Sequence, residues 1–103
     1  MSTDFRELQA ADRRRVILDT LRRDPHYEVN DAILQSVLDT FGHRVGRNQV
    51  KEDLVWLCEQ SLVNLRDLAG VAVATLTTAG YNVAEARVIH PGVRRGDPPD
   101  PMR

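Results

Sequence analysis

Residues 43 to 51 gather His43, Arg44, Arg47, Asn48, Gln49 and Lys51, three cations and two carboxamides with no acid among them. These side chains suit duplex DNA. Arg donates two hydrogen bonds to guanine, Asn or Gln pairs with the Hoogsteen edge of adenine, and Lys neutralises a phosphate as a point charge. His43 and Arg44 are placed to touch the phosphate backbone, and Arg66, further along, to reach a phosphate or the minor groove. Glu52 and Asp53 follow at once and repel phosphates lying deeper along the same segment, so contact falls to its beginning.

Other chemistries find less material. No Gly-rich phosphate loop, Gly-x-Ser-x-Gly turn or His-Glu-x-x-His pair occurs, and His26, His43 and His90 are scattered. Adjacent acids such as Glu52 and Asp53 point about 100° apart on a helix, poor geometry for shared acid-base work, and read as solvated. Cys58 stands alone, whereas a thiolate sensor site needs two or more cysteines close together. The expectation is a non-enzymatic protein with no metal and no cofactor, Cys58 being a buried structural residue. Trp56 falls off the main apolar stripe and is expected to pack half-buried.

These residues need a scaffold, and 103 residues allow one domain with a modest core. Apolar residues at 42% and charged residues at 28% fit a globular chain, and no apolar run approaches the roughly 18 residues of a membrane span. A lone cysteine and the lack of a signal-like start fit a reducing cytoplasm. Net charge is −1, but residues 43 to 51 carry +3 between two segments of −3, residues 26 to 42 and 52 to 60. Such a balance argues against indiscriminate coating of nucleic acid and leaves a focused patch.

Periodicity supplies the elements. A first helix is expected from about Asp4 to Arg23, capped by Ser2, Thr3 or Asp4 and stopped by Asp24-Pro25. Ala10, Ala11, Ile17, Leu18 and Leu21 share one face, with Phe5, Leu8 and Val16 on an adjoining one. Either the helix bends to bring both stripes into one core, or Phe5 and Leu8 meet another subunit in a homodimer. The Arg13-Arg14-Arg15 run reads as a solvated face. Tyr27-Glu28-Val29 is β-like; Asn30 then caps a second helix carrying Ile33, Leu34, Val37, Leu38 and Phe41, stopped by Gly42. A third helix runs from about Arg47 to Gln60, with Gly46 as N-cap and Val50, Leu54, Leu57 and Cys58 inward.

Two helices joined this closely form a helix-turn-helix candidate, with Val45 plugging the space between them. Leu62–Arg66 and Val71–Leu76 then read as a hairpin with its tip at Ala69-Gly70, and Thr77 or Thr78 caps a last helix reaching about Arg87, weakened by Gly80. From His90, four prolines and two glycines in fourteen residues predict a mobile tail, so the domain is expected over 1–89 and the tail over 90–103.

The stretch from Val50 to Val63 resembles the reading-helix region of bacterial winged-helix regulators, with Ser61 where those proteins usually place Gly. Leu76-Thr77-Thr78-Ala79-Gly80 resembles the opening of their final helix. With Phe41-Gly42-His43-Arg44-Val45 and His90-Pro91-Gly92-Val93, the pattern over about residues 10 to 95 is similar to a group of small proteins of Mu-like bacteriophages and prophages labelled ArsR-type regulators. The resemblance implies a winged helix-turn-helix, mainly α with a small antiparallel β-wing, acting on double-stranded DNA as a transcriptional regulator in the bacterial host cell. The competing expectation is the same fold docking a phage or host protein, through the exposed part of the third helix or the Phe5 and Leu8 stripe.

Overall fold

The computed structural model describes residues 4–95. Helix α1 (Phe5–Arg23) starts where the Asp4 side chain accepts the Arg6 N–H, and it runs for 19 residues without a break. It ends at Asp24, whose carboxylate accepts the N–H groups of His26 and Glu28 and so turns the chain into strand β1 (Glu28–Asn30). Those two hydrogen bonds hold the Asp24 carboxyl below the usual carboxylate range. Asn30 caps α2 (Asp31–Thr40) by accepting the Ile33 N–H. Gly42, at φ +90, closes α2, with the Gly42 N–H donating to Asp39 and the His43 N–H to Leu38.

Helix α3 (Arg47–Glu59) starts at Gly46, which has no side chain to cap it. Its end repeats the closure of α2 with Ser61 at φ +62, the Ser61 N–H donating to Cys58 and the Leu62 N–H to Leu57. Strands β2 (Val63–Leu68) and β3 (Val71–Leu76) meet at Ala69 and Gly70, both at positive φ, as a two-residue turn of matching twist requires. Helix α4 (Thr78–Ala84) is capped by Thr77. It presses on the start of β2 so closely that a Cβ on Gly80 would stand 2.0 Å from the Leu62 carbonyl oxygen; the glycine read from sequence as a weak point is required by this approach.

The result is a mixed α/β architecture of four helices and a three-stranded antiparallel sheet ordered β1-β3-β2. Strand β1 joins the hairpin as a third strand, Glu28 opposite Thr75 and Asn30 opposite Val73, while Val63 faces Leu76 and Leu68 faces Val71 on the other side of β3. Ile17, Leu18 and Leu21 of α1, Leu34 and Leu38 of α2, Val50, Leu54 and Leu57 of α3, and Val63 and Ala74 of the sheet form one core. Val45 packs against it between α2 and α3, as does Cys58, which is half-buried rather than fully inside. Helix α2 buries a narrower stripe than its pattern predicts, leaving Ile33 and Phe41 exposed. Helix α4 stops at Ala84, not near Arg87, because Ala86 takes positive φ and the N–H groups of Ala86 and Arg87 bond back to Val83 and Asn82.

Three expectations change. Residues 90–95 were expected to begin a loose tail, but Val93 is buried in the core, its neighbour Arg94 donates its N–H to the Ala11 carbonyl, and Gly92 lies against Trp56. The expected boundary at residue 89 therefore falls inside packed structure, and residues 96–103 of the expected tail lie outside the described residues. The arginine run of α1 is not a solvated face: Arg13 forms a two-pronged pair with buried Asp53 at 2.6 and 3.1 Å, which also removes Asp53 from solvent. Arg14 is buried with its guanidinium 3.8 Å from the centre of the Trp56 ring, donating to the Gly92 carbonyl and to Glu7. Finally, α1 is unbroken and its second stripe is not brought wholly inside: Val16 is buried, but Phe5 is 69% and Leu8 53% exposed.

Candidate nucleic-acid interface

The expected DNA-contacting residues divide into two groups. Arg44, Arg47, Asn48 and Lys51 surround the start of α3 and reach solvent. Arg44 is 88% exposed and only loosely associated with Asp39 at 3.9 Å. Asn48 is exposed, and Arg47 and Lys51 keep 45% and 38% of their side chains accessible. The first turn of α3 carries no acid, and its uncapped N–H groups add partial positive charge at the same end. Lys51 spans to the hairpin tip, donating to the Gly70 carbonyl at 2.7 Å, so the tip and the start of α3 form one continuous surface.

The second group faces elsewhere. His43, expected at a phosphate, turns inward here, its Nε2 2.6 Å from Asp12 Oδ2. Partial burial pushes the Asp12 carboxyl up, but hydrogen bonds from His43, Arg94 and Arg15 outweigh this and hold it down at about 2. Gln49, expected beside the readers, donates to Asp53 and belongs to the Arg13–Asp53 network between α1 and α3. Arg66 is exposed but engaged across the sheet by Glu28 at 2.9 Å, the same carboxylate oxygen that accepts the Thr75 hydroxyl. Further along α3, exposed Glu52, Val55 and Glu59 confine any phosphate contact to the first turns.

Two residues of this region escaped the sequence reading. Asp31, at the first position of α2, is fully buried and accepts the Ala72 N–H of β3 at 3.1 Å. Gln35 accepts from Arg47 Nε at 3.0 Å and donates to the Val45 carbonyl, tying α2 to the turn and to α3. Asp in a first helical turn is ordinarily a dipole partner for the helix itself, and nothing in the spacing marks it as a counter-ion for Arg47 and Lys51, sixteen and twenty positions on. Among the described residues, no group of three or more His, Cys, Asp and Glu side chains is arranged to hold a metal ion, and no helix is long and apolar enough to cross a membrane.

Over 92 residues the chain is 45% identical to the uncharacterized protein gp26 of Escherichia phage Mu, a match covering 89% of this chain and 95% of that protein. The chain belongs to the phage Mu gp26 family. An uncharacterized protein of Haemophilus influenzae is 34% identical over 97 residues, 93% of each chain. No family model and no solved structure matches. The Mu-like kinship expected from the motifs therefore stands, while neither relative's name carries the ArsR-type regulator label.

In this gp26-family protein, then, one surface combines a nearly free arginine, a second arginine and the chain's single lysine held near a buried carboxylate, and an exposed carboxamide. That set can donate hydrogen bonds to anions and to base edges. It holds no nucleophile and base in contact.

Proposed function

We propose that this gp26-family protein is a winged helix-turn-helix protein that binds double-stranded DNA, with α3 reading the major groove and the β2–β3 hairpin as its wing. The observation that carries this reading is the acid-free first turn of α3, where Arg44, Arg47, Asn48 and Lys51 reach solvent beside the hairpin tip. In such motifs the first residues of the second helix lie nearest the base edges. The role is that of a phage or prophage transcriptional regulator, sequence-specific because net charge −1 gives little indiscriminate attraction. An ArsR-type label would then describe the fold and not thiol-based sensing, since Cys58 is the chain's single cysteine and packs against the core. A homodimer joined through Phe5 and Leu8 would set two α3 helices about one DNA turn apart.

A second reading, a module that docks a phage or host protein, draws on the exposure of Phe5 and Leu8 and on Glu52 and Val55 along the outer face of α3. Fluorescence anisotropy against intergenic duplexes of the protein's own genome, at about 50 and then 200 mM salt, separates them. A fragment that stays bound at the higher salt supports the regulator. Binding that vanishes with salt, or never occurs, overturns it in favour of docking.

A further inference from the structure

Asp31 has no solvent exposure, and its two oxygens are unequally served. Oδ2 accepts the Ala72 N–H, whereas Oδ1 has no hydrogen-bond partner. Two cations stand just beyond bonding distance, Arg47 Nη1 at 3.7 Å from Oδ1 and Lys51 Nζ at 3.7 Å from Oδ2. Each is also fixed by a second contact: Arg47 Nε donates to Gln35, and Lys51 Nζ to the Gly70 carbonyl. The two cations proposed to face DNA are thus the same two that compensate a buried carboxylate. Drawing one toward a phosphate would weaken the compensation of that carboxylate, and drawing both away would leave it without counter-charge, which a buried site resists strongly.

We propose that Asp31 is the specificity-determining positioning residue of this interface, anchoring Arg47 and Lys51 in the DNA complex as in the free protein and cancelling about one of their two charges. This rests on the DNA-binding reading. Phosphate attraction is indifferent to sequence and grows with each uncompensated cation, so a counter-ion beneath the reading surface lowers binding to every duplex. Anchoring also fixes the direction in which the guanidinium presents its remaining donors, so a correct base pair gains from a geometry already formed. Selectivity is the difference between the two kinds of binding, and Asp31 acts on both.

Asp31→Asn tests this with little change of shape, because the amide oxygen can still accept the Ala72 N–H. Anisotropy with the selected duplex and a scrambled one of equal length should show scrambled-duplex affinity rising several-fold. The plot of log affinity against log salt should steepen by about one charge, and the ratio of selected to scrambled binding should fall about tenfold. A folded variant with unchanged slope and ratio overturns the role of Asp31 and leaves the DNA reading standing. Should the variant not fold, the wild-type protein answers by NMR: the Asp31 side-chain carboxylate carbon, which senses the two cations beside it, should keep its chemical shift when duplex is bound, and a large change on binding overturns the proposal.

A measurement without DNA separates the two failures. Lys51 is the only lysine in the sequence, so its acylation rate, followed by peptide mass spectrometry, reports its anchoring directly. The rate should rise several-fold in Asp31→Asn. A wild-type protein that binds no duplex removes the DNA reading and the selectivity role together, even if the acylation rate rises. An unchanged acylation rate removes the anchor itself.

Discussion

Gly92→Ala tests whether residues 90–94 close the domain. A Cβ at this position would lie 2.4 Å from both Cη2 and Cζ2 of Trp56, about 1 Å inside ordinary carbon contact. The indole has little room to retreat, with the Arg14 guanidinium 3.8 Å from its centre and the His90 ring packed edge-on at 5.4 Å. The segment must yield instead. A shift of about 1 Å breaks the 2.8 Å hydrogen bond from Arg14 Nη1 to the Gly92 carbonyl and loosens Val93 in the core. Overpacking of this kind costs about 1–3 kcal/mol, and complete release of the segment limits the loss, so destabilisation of about 2 kcal/mol is expected. For a domain of this size that lowers Tm by roughly 10 °C. Thermal melts followed by circular dichroism measure it, and emission from Trp56, the chain's single tryptophan, should move to longer wavelength in the folded variant. A Gly92→Ala protein that melts within about 2 °C of wild type with unchanged emission would refute the reasoning.

Three further outcomes follow from the packing. Asp53→Ala strips Arg13 of its partner between α1 and α3 and should cost about 3 kcal/mol in urea unfolding, because a cation left nearly buried and unpaired is expensive; a loss under 1 kcal/mol would contradict this. Asp12 has a folded pKa depressed to about 2, so its contribution is present above its ordinary value of 3.8 and disappears as pH falls toward 2. After allowance for solvent screening, the stability gap between wild type and Asp12→Asn should be about 1 kcal/mol at pH 6 and close toward zero by pH 2, measured by denaturant titration across that range. Ser61→Gly relieves a left-handed backbone at φ +62 and should raise stability by about 0.5–1 kcal/mol; a lowered Tm would mean that the serine hydroxyl does something the backbone account omits.

The helices and hairpin were legible because local signals agreed with one another. Asn30 and Gly42 bound α2, Gly46 marks where α3 begins, and Ala69-Gly70 marks the turn. Ser61 stands out in sequence for replacing a usual glycine, and its positive φ gives the physical reason. What escaped the reading depends on partners remote in the chain. Tyr27-Glu28-Val29 reads as β-like, but the pairing of β1 with β3, Glu28 opposite Thr75, is not visible in so short a run. Arg14 looks solvated until Trp56 supplies a ring face and Gly92 a carbonyl 78 residues away. The same holds at the candidate interface, where the positions of Arg44, Arg47, Asn48 and Lys51 were readable from the start of α3. The inward turn of His43 depends on Asp12, and that of Gln49 on the Arg13–Asp53 pair. Over residues 90–95, Pro91 and Gly92 correctly predict irregular backbone but say nothing of whether it packs.

That packed segment bears on the kinetics of folding. It joins Arg14 to Gly92 and Asp12 to Arg94, contacts 78 and 82 residues apart, so nearly the whole described chain forms a loop that must close for these bonds to exist. Its seat, the Trp56 face roofed by Arg14, is assembled from α1 and α3 and becomes available once those helices have met. Docking should therefore follow the transition state. Contacts formed that late leave the folding rate almost unchanged and slow unfolding. Residues 90–94 thus govern how long the folded state lasts more than how quickly it is reached.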